Sequence, residues 1–280
     1  MDDWPDDAIC LYRHSHDPEF GLGQFSVQGI TLLENYVTAC LLLSLRLLPL
    51  FLFAPPFSLM RVPRMANVII TLGFAAVMIG ANPQLVDTVQ LTRGWILIAA
   101  LKEIFFGFIP VVILQMLFAS LYMVGRTIDI QAGFGLALLI DPTNRGQRPL
   151  FGTIFVYAAA TIFFAVNGHH DLMRFFTLSI ELVPLGMADI GGSLAPLRNY
   201  IFICFFLALA IGGAVIFALF ITDILVAILS RTVPQMHALL LGIQVKAILV
   251  LFVTPISLGL SGAVFMRMIA NAINILPRML

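Results

Sequence analysis

Charge is scarce in this sequence and is balanced in sign. Only 11% of the 280 residues are charged, and 15 Lys and Arg side chains oppose 15 Asp and Glu side chains, so the formal net charge is zero. Such a chain lacks the basic surface with which proteins bind nucleic acid, and it lacks a polybasic segment that would attract anionic lipid headgroups. The charge balance therefore points to neither kind of partner.

Cysteine is also rare. The three residues Cys10, Cys40 and Cys204 are odd in number and widely spaced. This pattern matches neither a disulfide framework nor a CxxC metal site. We interpret the three thiols as small apolar side chains buried among others.

Sequence motifs for catalysis are missing. The chain contains no GxxxxGK[ST] phosphate-binding loop, no GxSxG nucleophile elbow and no HExxH zinc motif. We therefore predict that the protein is not an enzyme and needs no cofactor. Any energy for work then comes from a partner or from an ion gradient.

The best candidate for a metal site is the pair His169-His170, followed by Asp171. Adjacent side chains on a helix point about 100° apart, whereas a chelating pair usually lies at positions i and i+4. We therefore favour helix capping and hydrogen bonding at an interface over metal binding for these residues.

Apolar residues dominate what remains. They make up 60% of the chain, and the mean hydropathy is +1.02. Globular domains usually contain about 45–50% apolar and about 25% charged residues. No core of this size could bury so many apolar side chains, so lipid or other apolar subunits must cover the rest. Because the alternation typical of membrane strands is absent, the sequence predicts an all-α membrane protein.

About six apolar stretches reach or approach the 20 or so residues that a helix needs to cross a bilayer. They are residues 29–53, 66–82, 95–124, 150–168, 199–230 and 243–266. Short turns rich in Pro and Gly separate them, and the longest connection is 167–198. We therefore expect a single helical membrane domain over residues 28–280, whose seam, if it has one, lies in that connection.

Residues 1–27 differ from the rest of the chain in being polar and acidic. Arg13 alone opposes six acidic side chains, which are Asp2, Asp3, Asp6, Asp7, Asp17 and Glu19. A signal peptide would open with basic residues and an apolar run. We expect a poorly ordered acidic extension here, and a helix docked on a partner is the alternative.

Basic residues give no membrane orientation. The Lys and Arg side chains divide almost evenly between the two sides of the predicted spans, although cytoplasmic loops normally carry a clear excess. Either the number of spans differs from the prediction, or the helices do not simply cross a bilayer.

Several charges interrupt the apolar stretches, where each is costly unless it faces protein or water. They are Glu34, Glu103, Arg126, Asp129, Asp223 and Lys246. Arg126 and Asp129 are three residues apart and share a helical face, so a local pair is expected. For the set as a whole two interpretations remain: structural salt bridges at helix interfaces, or a path for protons or substrate.

Residues 130–137 are apolar but contain Gly133 and Gly135, and Asp141-Pro142 follow soon after. Each glycine costs a helix about 1 kcal/mol relative to alanine. Non-helical backbone at membrane depth is tolerated only where protein or a cavity surrounds it. The segment is typical of a plug or a re-entrant gate, and a close helix-packing face is the alternative. The plug residues would be Gln131, Gly133, Phe134, Gly135, Leu136, Leu138 and Leu139.

Over roughly residues 40–265 the order of landmarks resembles the FliR/SctT family of flagellar and virulence type III secretion. The landmarks are Pro55-Pro56-Phe57, Arg61-Val62-Pro63-Arg64, Glu103 to Gly107, Gln131 to Ala137 with Asp141-Pro142, Pro149 to Gly152, Asn167 to His170, and Arg231-Thr232-Val233-Pro234-Gln235-Met236 with Gly242 and Lys246. Each is weak alone, but their shared order is specific. The chain departs from the family at His237, where Asn is common, and at Gln244, where Pro is common.

The resemblance implies a non-enzymatic subunit of a protein export gate in the bacterial inner membrane. Its partners would be FliP-type, FliQ-type and FlhB-type subunits, and its cargo unfolded proteins. The fold would combine a FliP-like part, residues 28–197, with a FliQ-like hairpin, residues 198–280. In the family the glycine-containing segment plugs the closed pore. The assembled gate is a funnel largely above the membrane plane, which would explain the missing charge bias.

Two other function classes remain as alternatives. In a transporter of ions or small solutes, the charges within the apolar stretches would be coupling sites. Transporters often contain two pseudo-symmetric halves, and no such repeat is visible here, which counts against this class. A purely structural membrane scaffold is the third possibility.

Overall fold

The computed structural model describes residues 18–59, 62–83, 95–134, 148–187, 195–232 and 238–279. Among these residues there are eight α-helices and no β-strand, which confirms the all-α prediction. The helices are α1 Pro18–Phe53, α2 Arg64–Ala81, α3 Ile96–Gln131, α4 Leu150–Ala165, α5 Gly168–Leu182, α6 Ala195–Thr232, α7 Ala238–Leu260 and α8 Gly262–Ile275. Short 3-10 helices follow α1 and α8, at Phe57–Leu59 and Leu276–Met279.

Helix α3 lies at the centre of the bundle and packs against α1, α4 and α6. Its neighbours α1 and α6 run in the same direction as α3. Two contacts show the shared direction of α1 and α3. Arg46 of α1 contacts Glu103 of α3, and Phe53, which is later in α1, stacks on Phe108, which is later in α3. Helix α4 runs the opposite way, because its first turn lies beside the last turns of α3.

Helices α6 and α7 form an antiparallel hairpin. Lys246 of α7 contacts Asp223 of α6. Later in α7 the Ser257 hydroxyl donates to the carbonyl of Ile211, which is earlier in α6, at 2.7 Å. Successive long helices in the described part of the chain therefore alternate in direction, as membrane-spanning helices joined by short connections must.

Among the described residues, five helices are long and apolar enough to cross a membrane, and the number of spans is six if α4 and α5 together form one span bent by 67°. This number agrees with the sequence prediction. Two helix starts follow a proline, Pro63 before α2 and Pro149 before α4. Proline costs nothing there, because the first turn of a helix contains no intrahelical N–H bond to lose.

The connection expected at residues 167–198 contains a helix that the sequence analysis missed. Helix α5 is amphipathic: Leu172, Phe176 and Ile180 are buried, whereas Arg174 and Glu181 are exposed. With 15 residues it is shorter than the apolar run of about 20 residues that identifies a spanning helix. A search for such runs therefore passes over it.

Two other boundaries differ from prediction. The stretch 243–266 is divided at Ser261 into α7 and the amphipathic helix α8, which buries Phe265, Met268 and Ile269. Helix α1 begins at Pro18, so residues 18–27 are helical and the expected poorly ordered extension does not reach residue 27. Residues 1–17 lie outside the described part of the chain.

Candidate functional site

Across the described ranges, the most deeply buried charges are those of Arg46 in α1 and Glu103 in α3, both with 0% exposure. The Arg46 Nε–H donates to Glu103 Oε2 at 2.5 Å, and Nη2 donates to Oε1 at 3.0 Å. This two-pronged geometry is the strong form of an Arg–carboxylate bond. The guanidinium carbon also lies 4.6 Å from the centre of the Phe106 ring, which adds a cation–π contact.

The same pair binds the carboxyl end of α5. Arg46 donates to the Ser179 carbonyl at 3.1 Å and to the Val183 carbonyl at 3.2 Å, while Glu103 accepts the Gly186 N–H at 2.7 Å. The last carbonyls of a helix lack intrahelical partners and carry partial negative charge, so a guanidinium is well placed there. The ion pair therefore holds α1, α3 and the end of α5 together.

A close backbone approach makes this contact possible. A Cβ on Gly107 would lie 2.2 Å from the Arg46 carbonyl oxygen, a separation that no side chain tolerates. Sequence analysis identified Glu103 but not its partner, because Arg46 is 57 residues away and Ser179 is 133 residues from Arg46. Both contacts depend on how the helices pack.

Asp129 is buried near the end of α3 and does not pair with Arg126 as expected. Its carboxylate accepts the N–H of Phe151 at 3.0 Å and that of Gly152 at 3.3 Å, at the start of α4. Arg126 is exposed. The local prediction was wrong because the unpaired N–H groups of a neighbouring helix start compete for the carboxylate.

The proposed plug begins at the end of α3. The helix stops at Gln131, and Gly133 adopts a left-handed φ of +88°, which is the usual way in which a glycine ends a helix. The Phe134 N–H then donates to the Asp129 carbonyl at 3.0 Å. The other plug residues, Gly135, Leu136, Leu138 and Leu139, lie outside the described residues.

Two further features surround this helix end. A Cβ on Gly133 would lie 3.2 Å from Ile243 Cγ2, so α7 packs against the glycine. The Gln131 Oε1 atom is buried and has no hydrogen-bond donor among the residues that the structure describes. The end of α3 and the contact with α7 thus meet at the same glycine.

Asp223 of α6 and Lys246 of α7 form an ion pair between their side chains, which are 49% and 18% exposed. Both charges lie on helices whose outer faces are apolar. In this single chain the pair is therefore accessible to the lipid or the partner helices that cover that face.

The remaining sequence candidates lie on the surface or outside the described ranges. Glu34 and Arg126 are exposed, so their burial at helix interfaces remains a prediction about an assembly. Arg231 is exposed in the last turn of α6. The other family-motif residues, Asp141, Pro142, Pro234 and Gln235, are outside the described part of the chain.

His169 and His170 lie in the first turn of α5, with ring centres 4.2 Å apart. Asn167 precedes them in a left-handed conformation, and its carbonyl accepts the His170 N–H at 2.9 Å. Within the described ranges no group of three or more His, Cys, Asp or Glu side chains could hold a metal ion.

Comparison with known proteins points to one group of relatives. The family described as bacterial export proteins, family 1, matches residues 37–272. The flagellar biosynthetic protein FliR of Bacillus subtilis (strain 168) is 30% identical over 219 residues, which cover 74% of this chain and 81% of that protein. FliR of Escherichia coli (strain K12) is 25% identical over 255 residues, or 83% of this chain and 92% of that protein. The surface presentation of antigens protein SpaR of Shigella flexneri is 26% identical over 152 residues, or 54% and 59%.

Proposed function

Because this chain belongs to the bacterial export proteins, family 1, which is the FliR/SctT family, we propose that it is a non-enzymatic subunit of the export gate in a type III secretion apparatus. The family match carries this proposal, since residues 37–272 extend from α1 into α8. The protein is a helical membrane component of an export apparatus. Relatives named FliR and relatives named SpaR both align with the chain.

In this proposal the chain assembles with FliP-type and FliQ-type subunits, next to an FlhB-type subunit, in the bacterial inner membrane. Large apolar faces support an assembly. Within the apolar 18-residue segment of each helix, only 17% is buried in α2 and in α7, and 28% in α6. Surfaces of this kind need lipid or other apolar helices to cover them.

The proposed division into a FliP-like part and a FliQ-like hairpin fits the order of helices. Residues 28–197 contain most of α1, all of α2 to α5 and the first three residues of α6. Residues 198–280 contain the rest of the α6–α7 hairpin with α8. The hairpin packs on α3 through the Tyr200 hydroxyl, which donates to the Ile113 carbonyl at 3.0 Å. Under this proposal the contact joins the two parts within one subunit.

We assign the seal of the closed pore to residues 131–140. The seal has to exclude water and small solutes and yet move aside for an unfolded chain, so apolar side chains on adaptable backbone suit it. Gly133 supports the assignment, because it takes a backbone angle that side chains rarely adopt. Phe134, the next residue, is 37% exposed, and an exposed ring can face a pore.

Loss of the gene tests this function against the transporter alternative. A strain without this chain should lose secretion of the apparatus's cargo proteins completely, and a plasmid copy should restore it. Uptake and efflux of ions and small solutes by intact cells should stay at the wild-type rate. Retained protein secretion together with a lost solute flux would overturn the proposal in favour of a transporter.

A further inference from the structure

Asp129 occupies an unfavourable position within its own helix. It lies two residues before the end of α3 at Gln131 and is 4% exposed. The carboxyl end of a helix carries partial negative charge, and an acidic side chain there is repelled. A carboxylate at this place needs a strong partner outside its own helix.

Helix α4 supplies that partner. It starts after Pro149, whose side chain has no atom that can accept a hydrogen bond, and the structure shows no side-chain cap from Pro149. The second and third N–H groups of the helix, from Phe151 and Gly152, donate to the Asp129 carboxylate. These are the two positions that a capping side chain normally serves. Asp129 thus caps a helix to which it does not belong.

A close approach of two glycines brings the helices near enough. A Cβ on Gly125 would lie 2.4 Å from the Gly152 Cα and 2.5 Å from the Gly152 nitrogen. Gly125 precedes Asp129 by one helical turn, so the contact places the carboxylate directly over the start of α4. The Phe134 and Phe151 rings, 5.9 Å apart, pack beside it.

Asp129 also binds the chain that leaves α3. Its backbone carbonyl accepts the Phe134 N–H at 3.0 Å, while its side chain accepts the Phe151 N–H at 3.0 Å. One residue therefore binds the first residues after α3 and the first residues of α4. The two ends of the connection between these helices meet at Asp129.

We infer that Asp129 is a positioning residue that fixes the end of α3 to the start of α4 and so sets the base from which the proposed seal extends. The part of this inference that concerns the seal rests on the proposed function. With the base held by Asp129, α3 and α4 stay together at this end while cargo passes. The carboxylate acts by holding backbone and does not contact cargo.

Hydrogen exchange in the assembled complex tests the base directly. In Asp129→Leu the Phe151 and Gly152 amides lose their acceptor, and they should exchange about tenfold faster than in the wild-type protein. Asp129→Asn keeps one acceptor oxygen without the charge and should give a smaller acceleration. Thr127→Ala removes an exposed hydroxyl, which donates to the Met123 carbonyl of the same helix, and it should leave exchange unchanged. Unchanged exchange at both amides in the two Asp129 variants would overturn the inference.

Leakage of a small dye through complexes in vesicles separates the inference from the proposed seal. We expect a several-fold greater leak with Asp129→Leu at a wild-type yield of complex, and no change with Thr127→Ala. Faster exchange without added leakage would support the role of Asp129 at the base and count against the seal. If Asp129→Leu prevents assembly, Asp129→Asn decides by the same two measurements.

Discussion

The Arg46–Glu103 pair shows how single residues place charge inside this apolar protein. Removing two charges from water is costly, and their attraction offsets the cost only when the remaining donors and acceptors are also bonded. Here Ser179, Val183 and Gly186 satisfy them. The geometry favours the structural interpretation of Glu103 over a proton path.

Replacement of Glu103 tests that interpretation. In Glu103→Ala the buried guanidinium loses its counter-ion, which destabilises a protein by about 3–5 kcal/mol. We expect a strongly reduced yield of assembled complex, measured by quantitative purification through a tag on a partner subunit. If Glu103 instead carries protons, the yield stays normal while export fails.

Lys246→Ala is the matched comparison, because the Lys246–Asp223 pair is partly exposed and exposed pairs contribute only about 0.2–1 kcal/mol. A smaller loss of yield is expected. The double variant Arg46→Met/Glu103→Met should recover only in part, since the Val183 carbonyl and the Gly186 N–H would then lack partners. Normal yield and normal export in both Glu103→Ala and Lys246→Ala would contradict the structural and the proton-path interpretations alike.

Gly133 leads to a second prediction at this scale. A side chain at its φ of +88° costs about 1–2 kcal/mol of backbone strain, and its Cβ would press on Ile243. We expect Gly133→Leu to impair secretion of a reporter cargo, and a bulky replacement of Gly135 to do the same. Gly213→Ala is the control, because no atom lies within 4 Å of the added methyl group. Wild-type secretion by Gly133→Leu would show that this glycine is ordinary packing.

At the scale of elements, three of the described helices are much longer than a bilayer requires. Helices α1 and α3 have 36 residues each and α6 has 38, so they are about 54 Å and about 57 Å long at about 1.5 Å per residue. The hydrocarbon core of a bilayer is about 30 Å thick. Such helices tilt strongly or extend beyond the membrane, which agrees with a gate that rises above the membrane plane.

Deletion of residues 131–140 tests the seal as an element. We expect the complex to assemble at normal yield and to become leaky to ions and small dyes, because the pore loses its apolar closure. A shorter deletion, 135–140, retains the helix end at Gly133 and should leak to a similar extent. Failure of both deletion variants to assemble, together with normal export by the glycine variants, would mean that this segment only packs helices.

For the whole molecule, composition and exposure lead to the same expectation. The apolar segments of α2 and α7 are mostly exposed in the single chain. The partly exposed charges of Asp223 and Lys246 lie on the α6–α7 hairpin. Lipid covers apolar surface well but covers partly exposed charges poorly. The fold is therefore expected to be complete only within an assembly.

Expression of the chain alone tests this expectation. We expect it to aggregate or to be degraded, and co-expression with FliP-type and FliQ-type subunits should rescue it. Native mass spectrometry of complexes purified through a tag on this chain would then detect several copies of smaller apolar partners. A stable, monodisperse monomer in mild detergent would count heavily against the export-gate function.

Sequence alone determined the membrane class, the approximate number of spans and the family. Hydropathy is a local property that adds along the chain, so a window of about 20 residues is enough to recognise a spanning helix. Landmarks from Pro55 to Lys246 occur in an order that identifies the family without any knowledge of packing. Non-helical backbone near Gly133 was likewise predicted, because each glycine costs a helix about 1 kcal/mol relative to alanine, and α3 ends at Gln131.

Tertiary structure alone decided where the buried charges find their partners. Glu103 binds Arg46, and Asp129 binds the start of α4 and not the nearby Arg126. Helix α5 was also decided by tertiary structure. The segment is too short and too polar to span a membrane by itself, so contacts with distant helices are needed to bury one of its faces. Hydrogen bonds between residues 22 to 137 positions apart arise from helix packing, and local periodicity carries no information about which distant groups that packing brings together.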